Sequence, residues 1–348
     1  MLHAQDGHDQ SGHARFAVHV ATLGRGPGRA RALTREEARE AFGMVLRGEA
    51  DPVQVGAFLM LLRYRGEDPD EITGLVEAAR EAAWLGRAVP GGSPGVTASF
   101  PPVDLDWPSY GAGRTRAAPW FLLSALALAD SGWRVLMHGS NSFSGGIAVA
   151  DALAALGRPV QTEAPAVHAA LRDVGFAYWP VSAMAPAVDR LLELRRLFGL
   201  RSPVNTVARL LDPADARASV DGVFHPPYIA LHLAVAERLH RPALLVLKGG
   251  GGEAERAPGK PVAAHLRRAA GDIHQLLLPA LGPFARPGAA PDTPARLAAI
   301  WRGEAEDEVA VRTVTGTIAM ALLAMRQCDT PAEADLRAPR IWAARSGR

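Results

Sequence analysis

LTREEAREAFGMVLRGEADPVQVGAFLMLLRYRGEDPDEITGLVEAAR, residues 33–80, decides the fold. Thr34 followed three residues later by Glu37 spells a capping box, in which each residue satisfies an orphan backbone N–H at a helix start. Ala38, Ala41, Phe42, Val45 and Leu46 then recur at helical spacing, and Gly48 closes the helix. Asp51-Pro52 opens a second helix: the aspartate caps, and proline at the first helical position loses no hydrogen bond. Gly66 ends it, and Asp68-Pro69 opens a third in the same way. Three short helices joined by tight turns predict a small helical domain.

Downstream the texture changes. GGSPGVTASF, residues 91–100, reads as a Gly/Pro-rich linker entering a strand over 96–100. PWFLLSALALADSG has the length and apolarity of a helix, and WRVLMHG reads as a strand ending at Gly139. SGGIAVADALAALG is a further helix, a short strand is expected before Glu163, and RPALLVLKGG is an apolar strand running into glycines. Strands alternating with helices predict an α/β domain with a central, mostly parallel sheet covered by helices. In such folds ligands bind beyond the C-terminal ends of the strands. APRIWAARSGR at the end fits either a basic tail or a docked last helix.

The 348 residues suit two domains, with 48% hydrophobic and 21% charged residues. No apolar run reaches the roughly 20 residues of a membrane span. The first fifteen residues lack the apolar core of a signal peptide, and residues 1–16 read as a disordered tail, so a cytoplasmic protein is expected. The single cysteine, Cys328, excludes an internal disulfide and a cysteine zinc site. A net charge of +2 rests on arginine, because Lys248 and Lys260 are the only lysines. Base composition explains that bias as well as selection for the phosphate-matching guanidinium fork does.

The 33–80 stretch resembles the N-terminal helical domain of glycosyltransferase family 3, which contains anthranilate phosphoribosyltransferase and the pyrimidine nucleoside phosphorylases. Two later segments agree in order. MHGSNSFSGGIAVADALAALG (137–157) is similar to the family's lysine-histidine-glycine-asparagine segment, and FGLRSPVNTVARLLDP (198–213) to its glycine-X-arginine-threonine segment. The resemblance implies a helical dimerisation domain, 17–88 with 186–212, and an α/β domain, 89–185 with 213–348.

The motifs that hold phosphoribosyl pyrophosphate are altered. A glycine-threonine-glycine-glycine-aspartate loop admits phosphates because glycines let backbone N–H groups come close. Its counterpart here is DWPSYGAGRTRAAPWF (106–121), which keeps Gly111 and Gly113, loses the aspartate and gains Arg114 and Arg116. Trp107-Pro108 is expected to stiffen the turn, and Ser109 to offer a hydroxyl. Magnesium requires hard carboxylate oxygens. The family's aspartate-glutamate pair falls on Glu253 and Ala254, with Glu255 a stand-in and Lys248 in place of a histidine. A vestigial acceptor site matches at His138, Asn141, Arg201 and Asn205, although Asn205 also suits a helix cap and His138 a core residue. No catalytic residue is assigned, and magnesium is expected only if the chain is catalytic.

The segment WPSYGAGRTR and the opening Leu23-Gly24-Arg25-Gly26 resemble the YbiB-type paralogues of this family, which implies nucleic-acid binding by a homodimer. Basic residues gather at Arg25, Arg29, Arg31 and Arg35, at Arg190, Arg195, Arg196 and Arg201, and at Arg114, Arg116 and Lys248. In one groove they would follow a phosphate backbone without reading sequence. Trp107, Tyr110 and Trp120 are candidate stacking residues. The alternatives are a phosphoribosyltransferase with an unidentified acceptor, with Arg114, Arg116 and Glu253 rebuilding the phosphate site, and a nucleoside phosphorylase.

Overall fold

Side-chain caps set the first helices in place. The computed structural model describes residues 6–26, 28–83, 100–111, 118–140, 142, 145–269, 271–283 and 292–347. The chain divides into two units, Met1–Ala98 with Met184–Leu211, and Ser99–Ala183 with Asp212–Arg348.

The first unit opens with α1 (Asp6–Gly24), α2 (Arg35–Arg47), α3 (Pro52–Arg65) and α4 (Pro69–Ala82). Thr34, Asp51 and Asp68 each form a complete capping box, and Gly48 closes α2 in the left-handed conformation. The expected tail at 1–16 is corrected here, since α1 begins at Asp6. Tertiary burial explains it: Phe16 and Leu23 are buried, and the Phe16 ring meets Phe58 edge-on at 5.3 Å. Gln54 Nε2 also donates to the His13 carbonyl at 2.9 Å. A polar stretch with one apolar residue every few positions makes too thin a stripe to read as a helix on its own.

The chain continues through β1 (Leu105–Ser109), α5 (Trp120–Asp130), β2 (Val135–Gly139), α6 (Val149–Ala155), α7 (Ala164–Asp173), β3 (Phe176–Pro180) and α8 (Val181–Met184). Three short helices then return to the first unit: α9 (Pro186–Glu193), α10 (Arg195–Phe198) and α11 (Val204–Arg209). Thr206 donates to Glu67 at 2.8 Å and Arg80 to the Leu211 carbonyl at 3.0 Å, fastening this return to α4 and its approach. The second unit resumes with β4 (Ser219–Val223), α12 (Pro227–Arg238), β5 (Ala243–Lys248), β6 (Val262–Arg268), β7 (Ile273–Leu278), α13 (Pro294–Arg302), α14 (Glu308–Ala324) and α15 (Pro331–Ala343).

The seven strands lie in the order β3-β2-β1-β4-β5-β6-β7. The first five run parallel, and β6 and β7 continue as an antiparallel hairpin. Both faces are covered, as parallel strands require. Along β5, Leu245 and Leu247 join the large core shared with α5, α14 and α15, whereas Leu244 and Val246 pack with Leu233 and Ala236 of α12. The C-terminal stretch is a docked helix: Arg345 lies 3.7 Å from the Trp342 ring and donates to the Trp301 carbonyl at 2.8 Å.

Three further expectations are corrected. Trp107-Pro108 belongs to β1, not to the turn after it. A proline is tolerated there because Asp106 N–H points toward β4, bonding the Ala218 carbonyl at 2.8 Å, and Pro108 faces the same side just past the last β4 pairing. Before Glu163 there is no strand; the Gln161 backbone N–H donates to the Tyr178 carbonyl and its side-chain oxygen accepts from Tyr178 N–H at 2.9 Å, so one residue imitates a ladder. Of the strand expected over 96–100, residues 96–99 lie outside the described residues, and Phe100 is not in a strand. Among the described residues no helix is long and apolar enough to cross a membrane.

Candidate functional site at the strand ends

Glycines let the ends of β1 and β4 close on the turn at 249–254, which Gly249 opens after β5, and let the end of β2 close on β1. A Cβ on Gly111 would stand 2.1 Å from Glu253 Oε1, and one on Gly222 would stand 2.0 Å from the Glu253 carbonyl carbon. Gly249 and Gly139 are equally closed, against the Glu253 and Ser109 carbonyl oxygens. Glu253 is thereby sealed in, 3% exposed, with Ser109 donating to its Oε1 at 3.3 Å and its Oε2 without a hydrogen-bond partner.

Beside it runs a buried polar chain. The Tyr110 hydroxyl lies 2.8 Å from His138 Nδ1, and His138 Nε2 lies 3.2 Å from Asp106 Oδ1, off hydrogen-bond alignment. The carboxylate favours the Nε2–H tautomer, which leaves Nδ1 to accept the phenol proton. His138 and Asp106 are essentially unexposed. A second buried pair, Asp221 and His232, is in contact at 2.8 Å.

The start of α5 follows the altered glycine loop, where helix N-terminal N–H groups bind anions readily. Here the chain supplies its own anions. Glu255 Oε2 accepts from Phe121 N–H at 3.0 Å, and Asp292 Oδ2 accepts from Ala118 N–H at 2.9 Å. Arg256, unexposed, anchors the segment through Asp335 at 2.5 and 3.1 Å and the Pro279 carbonyl at 2.6 Å.

These contacts test the fit of magnesium. Glu253 is committed to Ser109, and Glu255 to a helix start, so the two do not converge on one cation. No group of three or more His, Cys, Asp or Glu side chains among the described residues could hold a metal. Among the described residues these carboxylates do not fit magnesium, which needs several hard oxygens together.

The predicted residues separate. Ser109, His138 and Glu253 come together, and Lys248 is exposed at the end of β5. Arg114, Arg116, Gly113 and Asn141 lie outside the described residues. In the helical unit, Arg31 is paired with Glu37 at 2.6 Å, Arg35 with Glu77, and Arg196 with Glu193 at 2.9 Å. Arg195 and Arg201 are half-buried and engaged within the molecule. Arg25 and Arg29 are exposed, with no side-chain hydrogen bond or ion pair among the described residues. Asn205 lies in the first turn of α11, not at its cap. The stacking trio is corrected: Trp107, Tyr110 and Trp120 are 0%, 4% and 7% exposed, and Trp107 stacks on Phe121 in the core. Glu255 as a cap, Asp292 and Asp106 emerged only from the structure. The recurrence of glycine at each strand end was the sequence signal that could have pointed to the packed turn.

Known proteins agree with this architecture. Residues 20–83 match the helical bundle domain of the glycosyl transferase family, and residues 121–287 match its a/b domain. The anthranilate phosphoribosyltransferase of Moorella thermoacetica is 33% identical over 220 residues, covering 63% of this chain and 62% of that protein. That of Chelativorans sp. is 30% identical over 240 residues, covering 68% and 66%. The chain thus spans about three fifths of the first of these relatives. Among solved structures, anthranilate phosphoribosyltransferase from Thermus thermophilus has a TM-score of 0.73 at 25% identity, covering 95% of both chains. The Saccharomyces cerevisiae enzyme, in complex with PRPP and Mg, has a TM-score of 0.74 at 16% identity, a likeness of fold, over 96% of this chain and 95% of that one. A helical bundle and a mostly parallel sheet, each matched in its own right, make the chain a member of glycosyl transferase family 3.

Proposed function

We propose that this chain keeps the fold of anthranilate phosphoribosyltransferase without its pyrophosphate chemistry, and binds nucleic acid nonspecifically as a YbiB-type homodimer. One observation carries the first half: Glu255 takes the Phe121 N–H in the first turn of α5, and Asp292 takes the Ala118 N–H just before the helix. An incoming pyrophosphate would meet two carboxylates where it needs donors, a like-charge encounter that costs affinity. Arg25 and Arg29, exposed and with no side-chain partner among the described residues, support the second half, because guanidinium groups without internal carboxylates remain available to phosphates. Val53, Tyr64, Leu197 and Leu200, all 58% exposed or more in the helical unit, support pairing through that unit.

Fluorescence anisotropy of a labelled single-stranded oligonucleotide at low and high salt, beside a titration of phosphoribosyl pyrophosphate with magnesium, tests this. Salt-sensitive oligonucleotide binding that weakens in Arg25→Ala/Arg29→Ala, with no pyrophosphate binding, is the expected result. A second reading is a transferase acting on an unidentified acceptor, and the buried Tyr110–His138–Asp106 chain at the strand ends favours it. Saturable, magnesium-dependent pyrophosphate binding without oligonucleotide affinity would establish that reading instead.

A further inference from the structure

At the opposite end of the parallel strands, where β4 and β5 begin, lies a cavity of about 460 Å³. Arg217 precedes β4, Pro242 and Ala243 start β5, Arg268 ends β6, Asp272 and His274 frame the start of β7, and Met325 and Arg326 follow α14. The volume falls within the roughly 300–1,000 Å³ of small-molecule sites. Pro242, Ala243, Ala324 and Met325 give it an apolar wall, and the guanidinium groups give it a cationic one.

Three arginines and one carboxylate, Asp272, line the cavity, and Asp329 acts on Arg268 from beside it. Arg217 is paired with Asp104 at 3.1 Å. Arg268 and Arg326 have no side-chain hydrogen bond or ion pair among the described residues. Burial, and then the neighbouring Arg326, push the Arg268 guanidinium below its ordinary pKa, with Asp329 acting the other way. Two like charges held around one cavity repel each other unless an anion joins them. Arg326 also adopts a left-handed backbone, φ 57°, directly after α14. For a residue other than glycine that conformation is costly. The last carbonyls of α14 are already taken, Ala321 by Met325 N–H and Leu323 by Arg326 N–H, so they do not consume the guanidinium.

We infer that this cavity binds a phosphate ester with a compact apolar or aromatic body, its phosphate bridging Arg268 and Arg326 and its body against Pro242 and Met325. The site is separate from the strand-end turn around Glu253 and independent of the function proposed above. Isothermal titration of the full chain with adenosine 5′-monophosphate, inorganic phosphate and adenosine tests it. The monophosphate should bind at least about tenfold more tightly than either fragment, a difference of about 1.4 kcal/mol. Arg326→Glu, an exposed change that leaves the core alone, should abolish that binding while the melting temperature stays within about 2 °C. Arg268→Gln should weaken it by about the same tenfold factor, and Lys248→Ala should leave it unchanged. A short oligothymidylate added as competitor distinguishes a free ester from a nucleic-acid phosphate: displacement of the monophosphate by the oligomer would assign the cavity to backbone phosphate. Absence of monophosphate binding at millimolar concentration, or equal binding by Arg326→Glu, overturns the inference. Oligonucleotide affinity that survives Arg326→Glu leaves the nucleic-acid reading standing by itself.

Discussion

Substituting Gly111 by alanine should destabilise the α/β unit, and a second substitution should repair it. The added methyl would stand 2.1 Å from Glu253 Oε1, 2.8 Å from its Cδ and 2.9 Å from its Cγ. All three atoms belong to a side chain that cannot swing away, because Glu253 is 3% exposed. Overpacking of this kind costs about 1–3 kcal/mol. For a unit of this size 1 kcal/mol moves the melting temperature by about 2–4 °C. Glu253→Ala removes the obstructing atoms, and itself deletes only a 3.3 Å bond and a buried oxygen with no partner, so its own effect should stay within about 1 kcal/mol. The double variant should match Glu253→Ala, giving a coupling of about 1–3 kcal/mol. Gly222→Ala is the control: its methyl would meet the Glu253 backbone at 2.0 and 2.2 Å, which Glu253→Ala leaves in place. Urea unfolding followed by tryptophan fluorescence suits the measurement, since six of the seven tryptophans lie in this unit. A cost below about 0.5 kcal/mol for Gly111→Ala, or equal relief of Gly222→Ala, would refute the packed-turn account.

Thr34→Ala breaks the capping box of α2 and should cost about 0.5–2 kcal/mol in thermal unfolding, with Thr34→Asp retaining most of the stability. Arg256→Met leaves Asp335 and the Pro279 carbonyl without their buried partner; a loss of about 3–5 kcal/mol in chemical denaturation is expected. The Glu37 carboxyl is held down to about 2, chiefly by its hydrogen bonds to Arg31. That contribution is present above the ordinary carboxylate value and is lost as pH falls from about 4.3 toward 2. Arg31→Gln should therefore flatten the acid side of the stability curve in that window, modestly, because both groups are solvent-screened. Glu255→Gln frees the α5 start of one negative charge, so any affinity for inorganic phosphate, measured by calorimetry, should rise in this variant.

The helices α2, α3 and α4 were legible because their starts are written locally, in Thr34, Asp51-Pro52 and Asp68-Pro69. Strand β1 was not, because Pro108 breaks a strand unless its missing N–H faces a gap in the ladder, and the short ladder to β4, a single pairing of Asp106 with Ser219, joins residues about 110 apart in sequence. Helix α1 was hidden for a related reason: its apolar residues are few, and the partner that buries Phe16 lies on α3. At the strand ends, motif spacing placed Ser109, His138 and Glu253 on the right segments. Nothing local signalled that Tyr110 turns inward to His138, or that Glu255 would cap α5, since both depend on which loop lies over which strand.

The imitation ladder at Gln161 has a bearing on how this sheet ages. Strand β3 is one border of the sheet, and the Gln161 backbone and side chain together bond the Tyr178 carbonyl and N–H there. The other border, β7, carries exposed Ile273 and Leu277. A growing cross-β aggregate needs an open border with apolar side chains. Accretion on partly unfolded molecules would thus proceed from one side only, and a Leu277→Lys substitution would act as its gatekeeper.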